Sequence, residues 1–217
     1  MKYTTHLKQS KTHKFPTTYV YSLLDGDLLI FLRPWGSQDY NQKFLDEVTH
    51  YLSSAAADID VTTPFDFDEH LTSMTNRLKV ALLIAHDFFF KVENKTIYGV
   101  GFEVTLLFKS KTELAWATVG RFDLYESSHQ QIRVLSVLGS DIDTQQNVLL
   151  PLELLGVEKD FSLRCGSIQI QSQMQLSVAS VFGPTNILDH HFTQIDQSHT
   201  IQSGDMTSLW SAQIELN

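Results

Sequence analysis

Arg33 and Trp35 are the first side chains in this sequence whose types suggest a site. Arginine and tryptophan are the residues that most often anchor a binding surface. Both adjoin Pro34, and Gly36 follows, so together they could form a compact contact patch at the end of an apolar segment. A guanidinium and an indole recognise a ligand but supply no nucleophile or general base. The run therefore favours a binding role, and the alternative is a loop tryptophan that folds onto the start of the following helix.

Residues that commonly carry catalysis or hold a metal form no recognisable motif. Asp-His-His at 189–191, with Asp196 and His199 downstream, is the densest histidine run. Adjacent histidines point in different directions in regular structure, so this spacing does not encode a zinc site. The chain has no Gly-x-Ser-x-Gly elbow and no Walker A string. The single cysteine, Cys165, is expected to be a buried or idle thiol.

The charge is acidic overall and unevenly distributed. The 217 residues include 16 Lys and Arg against 25 Asp and Glu, a formal net charge of −9. Lysines precede the first acidic residue, Asp25, at Lys2, Lys8, Lys11 and Lys14. A chain this acidic lacks the broad cationic face that nucleic-acid binding requires. We expect residues 1–17 to be a basic, flexible segment, with a small anionic contact site as the alternative.

Length and composition favour one globular domain, which we place at residues 18–217. The hydrophobic fraction of 42 % is sufficient for a core. No apolar run approaches the ~18 residues that a membrane span requires, and the first residues lack the apolar stretch of a secretory signal. With one cysteine, no internal disulfide can form. These features predict a cytoplasmic protein that binds neither membranes nor nucleic acid.

The apolar pattern predicts a hairpin followed by two helices. Residues 18–24 and 28–32 are typical of strands, and Asp-Gly between them is a strong turn signal. Arg-Pro-Trp-Gly at 33–36 is expected to break the second strand, because Pro34 cannot donate to a ladder. Apolar residues at helical spacing then predict two helices. Ser37 is the expected N-cap of the first, and Asp66 with Glu69 the capping box of the second.

The second half of the chain is typical of short strands. We predict strands at residues 97–108, 113–119, 121–126, 131–138, 167–181 and 208–216, with a short helix over 186–192. The alternation of polar and apolar residues in 167–181 indicates a sheet with one buried face. Strands, then a helical hairpin, then more strands predict an α+β fold with antiparallel sheets.

This order of elements resembles the metal-dependent protein serine/threonine phosphatases of type 2C. In that family Asp-Gly-x-Gly-Gly ends an apolar strand, where this chain has Arg-Pro-Trp-Gly-Ser at 33–37. Gly-[Ser/Thr]-Thr opens a later strand, where this chain has Gly-Phe-Glu at 101–103. Val-Gly-Asp-Ser-Arg-x-Tyr corresponds to Val-Gly-Arg-Phe-Asp-Leu-Tyr at 119–125. The resemblance implies a four-layer α/β/β/α sandwich with a metal-dependent site at one edge.

Weaker strings extend the resemblance over roughly residues 18–216. Leu-Gly-Val at 155–157 is similar to a Leu-Gly segment of the family, and 176–183 to a strand that ends in Ser-Asp-Gly. Asp-Met-Thr-Ser at 205–208 approximates the final Asp-Asn/Asp-x-Thr motif. Each string is short, so it is their order along the chain that carries the likeness.

The positions that this resemblance assigns to metal-binding acids are mostly not acidic. They hold Arg33, Arg121 and Val181, and Asp205 alone remains. Mg and Mn need several hard oxygen ligands, and two cations about 3.5–4 Å apart need more than one carboxylate. The resemblance thus implies the scaffold without its chemistry, since function lies in the site. We expect no catalytic residue and no cofactor, with Asp205 as the residual metal candidate.

The predicted function is a catalytically inactive, pseudophosphatase-like domain that binds or regulates a partner protein. Arg33, Trp35 and Arg121 are the anion- or partner-binding candidates. Two arginines at the edge where the family has acids would convert a cation site into an anion site. A phosphorylated protein is therefore one candidate partner, and the idea requires Arg33 and Arg121 to lie close together.

Two alternatives stay open. The chain could be a divergent Mg- or Mn-dependent phosphoprotein phosphatase that takes its ligands from Asp205, Glu103, Asp123, Asp25 or Asp27. It could also be a structural subunit whose helical hairpin or sheet edge assembles into a larger complex. The sequence does not encode the partner or the oligomeric state.

Overall fold

Two five-stranded antiparallel sheets organise the chain, each within its own compact unit. The computed structural model describes residues 1–11, 14, 16–57, 64–128, 131–137, 153–182 and 208–216. The first unit comprises Met1–Phe15, Arg121–Pro151 and Gln171–Asn217, and the second comprises Pro16–Gly120 and Leu152–Ile170. None of the helices in these described ranges is long and apolar enough to cross a membrane.

The elements follow one another along the chain as β1 (Lys2–Lys8), β2 (Tyr19–Leu23), β3 (Leu28–Gly36), α1 (Asn41–Ala57), α2 (Ser73–Phe88), β4 (Val100–Lys109), β5 (Glu113–Val119), β6 (Asp123–Ser128), β7 (Gln131–Ser136), β8 (Arg164–Gln169), β9 (Gln175–Phe182) and β10 (Ser208–Glu215). The first unit holds the sheet β1-β10-β9-β6-β7, and the second holds β2-β3-β4-β5-β8. A π-helical turn, Phe89–Glu93, continues α2. The helical hairpin α1–α2 belongs to the second unit.

The second sheet has one face that packs on the helices. Along β3, Leu28, Ile30 and Leu32 are fully buried in the core that α1 and α2 share with the sheet. Since side chains alternate across a strand, Phe31 and Arg33 lie on the opposite face. β3 is thus buried on both faces, which explains its nearly continuous apolar run.

The predicted hairpin and first helix are confirmed, with different details at the turn. β2 and β3 pair antiparallel from Tyr19↔Leu32 to Leu23↔Leu28, and a 3₁₀ turn, Leu24–Gly26, connects them. The side chain of Ser37 accepts a hydrogen bond from the Asp39 N–H and caps the 3₁₀ turn that leads into α1. Ser37 is therefore an N-cap, as its residue type predicts.

The second helix begins later than predicted. The capping box at Asp66 and Glu69 is wrong, because α2 starts at Ser73 with Thr72 as its N-cap. Asn76 explains the difference. Its side-chain amide accepts a hydrogen bond from the Asp68 N–H and donates to the Asp68 carbonyl, both at 2.8 Å. These two hydrogen bonds hold the segment before Ser73 in a turn, so the helix begins after it.

The expected break of the second strand over 33–36 is also wrong, since β3 continues through Pro34 to Gly36. Pro34 lies opposite Phe102 of β4. The Phe102 N–H and carbonyl bond instead to Leu155, at 3.1 and 2.9 Å. Pro34 and Phe102 are therefore a non-hydrogen-bonded pair. The proline nitrogen faces the β2 side of β3, beyond Tyr19↔Leu32, the last pair of the β2–β3 ladder. No ladder hydrogen bond is lost there.

Two further predictions differ from the structure, one for the strand at 167–181 and one for residues 1–17. The predicted strand at 167–181 is two strands, β8 and β9, because a turn with Gln173 at φ 64° separates them. Residues 1–17, predicted as a flexible basic segment, contain β1, which pairs with β10 along its whole length. The short helix predicted at 186–192 lies outside the described residues.

Candidate functional site

A buried ion pair joins the last part of β3 to the first part of β4, where the sequence predicted a site. Arg33 Nη1 donates to Glu103 Oε2 at 3.0 Å, and both side chains have 0 % exposure. Charged side chains are almost never buried unless they are paired. Two unlike charges at this distance in a buried setting form a strong interaction that also carries a large desolvation cost.

The strand register brings these two residues together. Arg33 and Glu103 are direct cross-strand partners in the antiparallel β3–β4 ladder. Their neighbours Leu32 and Val104 belong to the core under the helices, so Arg33 and Glu103 lie on the other face. Direct cross-strand partners have Cβ atoms about 4.5–5.5 Å apart, which suits an Arg–Glu contact.

Further donors and acceptors complete the cluster. Trp35 Nε1–H donates to the same Glu103 Oε2 at 2.9 Å, and Arg33 Nε donates to Thr18 Oγ1 at 3.0 Å. We call these four residues, Thr18, Arg33, Trp35 and Glu103, the Arg33 cluster. One carboxylate oxygen thus accepts from both a guanidinium and an indole. The cluster pairs one positive with one negative charge, and its members hold one another in place.

Gly120 lies against the carboxylate side chain and needs to be a glycine. Its φ is +83°, and a Cβ there would come within 2.5 Å of Glu103 Cγ. The Gly120 carbonyl accepts a hydrogen bond from Arg164 Nη2. The Val-Gly string at residues 119–120 therefore has a local physical reason in this chain: the turn after β5 must pass close to Glu103.

A pair of threonines continues the polar face of the sheet beyond the Arg33 cluster. Thr118 Oγ1 donates to the Val104 carbonyl at 3.1 Å, so the 2.6 Å contact between the two hydroxyls has Thr105 as donor and Thr118 as acceptor. Both side chains are buried. The polar strip on this face is built from groups that bond to one another.

These residues do not suit the divalent metal ions that the resemblance implies. A metal ligand set needs several oxygens that are free to point at the cation. Here a guanidinium stands at the first predicted acidic position, and Glu103 Oε2 already accepts two hydrogen bonds. Among the described residues, no group of three or more His, Cys, Asp or Glu side chains could hold a metal ion. The cluster can stabilise the sheet and present Trp35.

The other predicted site residues lie in different parts of the molecule. Arg121, Asp123 and Val181 belong to the first unit, and Arg33 and Glu103 to the second. Asp205 lies outside the described residues. The proximity of Arg33 and Arg121, and with it the anion site, stays a prediction. The histidine run at 189–191 also falls outside the described part of the chain.

Asp25 and Asp27 are separated from Glu103 within the second unit. They lie at the β2–β3 turn, and β3 runs from Leu28 to Gly36. Arg33 lies six positions after Asp27 along the strand, which spans roughly 20 Å at about 3.3 Å per residue. Since Arg33 is the partner of Glu103, these two acids cannot join Glu103 around one cation.

His86 and its ring contacts form a second buried polar site that the sequence reasoning missed. Its Nδ1 accepts a hydrogen bond from the Gly156 N–H at 3.1 Å, and its ring stacks on Phe90 and lies 4.4 Å from the centroid of Phe161. Burial lowers the pKa of His86, and the charge of Lys91 lowers it further, against the opposing effect of Asp87. The imidazole is therefore held neutral, with its proton on Nε2.

Asn94 also bonds to the segment that His86 contacts at Gly156. Its side-chain amide donates to the Val100 and Gly156 carbonyls, both at 2.7 Å, and its Oδ1 accepts from the Gly99 N–H at 2.8 Å. Together with His86 it anchors the Leu-Gly-Val segment at 155–157 to the end of α2. The sequence signal was a Leu-Gly string alone, which gave no indication of these partners.

Cys165 behaves as its sequence context predicts. It lies in β8, half-buried, opposite Ala117 of β5. Burial raises the pKa of the thiol, while the charge of Lys79 partly opposes that rise. A raised pKa leaves little thiolate at neutral pH, so the residue is a poor nucleophile and a poor metal ligand.

Comparison with known proteins places this arrangement in a known fold. No protein-family model matches the sequence, and no curated protein does. Solved structures do match. The serine/threonine phosphatase PstP/Ppp of Mycobacterium tuberculosis is 13 % identical, with a TM-score of 0.58, over 99 % of this chain and 98 % of that one.

Two further solved structures are similar in fold to this chain. PppA, described as a key regulatory component of the T6SS in Pseudomonas aeruginosa, is 10 % identical with a TM-score of 0.61, covering 98 % of this chain and 96 % of its own. The PPM Ser-Thr phosphatase MsPP of Mycobacterium smegmatis, in complex with cacodylate, is 11 % identical with a TM-score of 0.57, covering 98 % and 97 %. The predicted fold class, α+β and type 2C phosphatase-like, is confirmed.

Proposed function

We propose that this chain is a non-catalytic, pseudophosphatase-like domain that acts by binding a protein partner. The observation that carries the proposal is the buried Arg33–Glu103 pair. The resemblance assigns the Arg33 position to the first metal-binding aspartate. A guanidinium at that position supplies a fixed positive charge, and it uses Glu103 as its counter-ion. Glu103 is therefore already engaged in an ion pair at this edge.

Metal-dependent hydrolysis would require this pair to separate. Breaking a buried pair leaves an uncompensated charge at a cost of about 3–5 kcal/mol. A cation entering near Glu103 would also meet repulsion from Arg33 and would have to displace the Trp35 indole N–H. These costs favour the binding module over the divergent phosphatase. Asp205, Glu103 and Asp123 are the ligands left to that alternative, because Asp25 and Asp27 lie at the far end of β3.

The same contacts also bear on whether the partner is recognised through a phosphoryl group. A phosphate could reach Arg33 only after a rearrangement of the site, since the guanidinium is fully buried and paired with Glu103. We therefore favour a protein partner that is recognised without a phosphoryl group at Arg33. The description of PppA as a regulatory component gives a structural neighbour with a regulatory role. That description belongs to PppA, and it supports our proposal only as a precedent on this fold.

A manganese-dependent assay with p-nitrophenyl phosphate tests the proposal. We expect the wild-type chain to show no hydrolysis above a heat-denatured sample at any manganese concentration. Asp205→Asn and Asp123→Asn should behave in the same way as the wild type. Asp46→Asn is the matched control, because Asp46 lies on the exposed part of α1 and bonds only locally to Gln42.

One result would contradict the proposal directly. It is manganese-dependent turnover in the wild type that Asp205→Asn or Glu103→Gln abolishes and Asp46→Asn leaves intact. That pattern would show that acids outside the expected motif rebuild a working site, and the divergent phosphatase would then be the correct assignment.

A further inference from the structure

We propose that the outer edge of β1 is a docking site for an extended segment of another protein, in which acidic and apolar residues alternate. The site lies in the first unit and shares no residue with the Arg33 cluster. It gives the expected partner a chemistry and a binding mode. The proposal holds whether or not the fold retains catalysis, so the two can fail independently.

The position of β1 in its sheet supports this mode of binding. β1 pairs with β10 from Lys2↔Glu215 to Lys8↔Leu209, and it ends the strand order of the first sheet as the described residues define it. A terminal strand presents main-chain N–H and C=O groups to an incoming strand. Adding a strand to such an edge is an established way to bind an extended peptide.

β1 is also the most accessible of the four terminal strands. All seven of its residues are exposed. β2 and β8, which end the second sheet, are mostly half-buried, and β7 becomes buried towards Ser136. A partner strand could therefore approach β1 over residues 2–7, where the side chains of both faces are exposed.

The side chains of β1 define what such a partner must carry. Because side chains alternate across a strand, one face holds Lys2, Thr4, His6 and Lys8, and the other holds Tyr3, Thr5 and Leu7. Tyr3 and Leu7 are 40 % and 59 % exposed. The strand is thus basic on one face and partly apolar on the other. A complementary strand has acidic residues on the first face and apolar residues on the second.

Charge favours a foreign acidic segment over a second copy of this chain. β1 itself carries Lys2, His6 and Lys8 and no acidic residue, and along its register with β10 the one acid is Glu215, opposite Lys2. The charge of the strand stays positive after Glu215 is counted, which favours an acidic incoming strand. Antiparallel pairing of two β1 strands about Thr5 would place Lys2 opposite Lys8. Like charges directly opposite each other destabilise a strand pair, whereas opposite charges stabilise it.

Hydrogen exchange and peptide binding on the full-length protein test this site. The probe is a fluorescent eight-residue peptide in which Glu and Val alternate, and the control peptide has four Glu followed by four Val. We expect the alternating peptide to bind more tightly, to slow amide exchange within residues 2–8, and to bind less well as salt increases. Leu7→Ser should weaken its binding about three-fold, from the loss of one cross-strand apolar contact.

Val134→Ser is the matched control variant. Val134 is a similarly exposed apolar residue, 56 % accessible, on β7 at the other end of the same sheet. It should leave binding unchanged, and thermal melts of both variants should match the wild type. Equal binding of the two peptides would overturn the proposal, because it would show charge attraction without strand addition.

Two other results would also overturn it. Protection that appears at β7 and not at β1 would move the site to the opposite edge. A dimer that protects residues 2–8 without peptide would assign the edge to a second copy of this chain. In each of these cases the manganese assay would still decide the proposed function on its own terms.

Discussion

The two faces of the second sheet show how differently one set of strands can be stabilised. On the face that packs on α1 and α2, Phe44 and Phe89 each lie 4.9 Å from the ring centroid of Phe102. On the opposite face, the Arg33 cluster and the Thr105–Thr118 pair lie on β3, β4, β5 and the segment before β2. The first face is held by packed rings. The second face also buries Leu29 and Phe31 of β3, but this part of it is held by groups that must each find a specific partner.

This difference predicts how the faces respond to substitution. Apolar side chains of similar volume can replace one another at modest cost, because the interaction is not directional. A buried polar group that loses its partner pays its full desolvation cost. At the Arg33 cluster and the Thr105–Thr118 pair, replacing one partner should therefore destabilise the fold more than replacing both. The strongest test of the comparison removes one charge of the Arg33–Glu103 pair.

Glu103→Leu should have the largest effect on stability. It leaves the Arg33 guanidinium buried beside an apolar side chain, and we expect unfolding in urea to become easier by about 3–5 kcal/mol. The double variant Arg33→Met/Glu103→Leu should recover most of that loss, because neither charge remains.

An exposed ion pair provides the control. Lys43 donates to Glu93 at 2.9 Å, but the Lys43 side chain is half-exposed, so Glu93→Gln should produce no measurable change. If Glu103→Leu is as mild as Glu93→Gln, the Arg33–Glu103 pair does not control the stability of this face.

Thr105→Val should have an intermediate effect. The substitution keeps the side-chain shape and removes the hydroxyl that donates to Thr118. Thr118 keeps its own bond to the Val104 carbonyl, so we expect a loss of about 1 kcal/mol in the free energy of unfolding. Thr105→Ser, which keeps the hydroxyl, separates the hydrogen bond from the packing. A valine variant as stable as the wild type would show that the polar strip adds nothing.

The smallest expected effect is a pH dependence at His86. Its pKa is lowered from 6.5 in the folded state, so below that pH the unfolded chain binds more protons than the folded one. Stability from this group is fully present above about pH 6.5 and decreases as the pH falls towards the folded pKa. Urea unfolding between about pH 8 and pH 5 measures the slope.

His86→Gln is the comparison for this slope. A glutamine carbonyl can still accept from the Gly156 N–H but does not titrate. The variant should therefore show a smaller loss of stability on acidification than the wild type. Equal slopes in the two proteins would assign the acid sensitivity to other groups and remove His86 from the account.

Most of the fold could be predicted from the sequence because apolar periodicity determines element type. β5 at Glu113–Val119 agrees with its prediction. The β2–β3 hairpin follows from Asp-Gly between two apolar runs. The errors occurred where tertiary contacts overrode local rules. Pro34 is tolerated inside β3 because the pairing of β3 with β2 stops at Leu32. α2 starts later than predicted because Asn76 bonds to Asp68.

The candidate site was only partly predictable. Arg33 and Trp35 stood out by residue type, but nothing in the sequence indicated that Glu103 would pair with both. That relation depends on the β3–β4 register, which is a property of the folded sheet. His86 was missed for the same reason, since its partner Gly156 is 70 residues away in the chain. Residue type indicates which side chains are unusual, and the register determines their partners.

A manganese titration followed by calorimetry tests the central claim most directly, because that claim concerns the charge at one edge of the second sheet. The account predicts no saturable heat with the wild-type chain, since Arg33 already neutralises Glu103. Arg33→Asp provides the comparison, because it removes that charge and adds a carboxylate beside Glu103. Stoichiometric manganese binding by the wild type, lost in Glu103→Gln, would contradict the account.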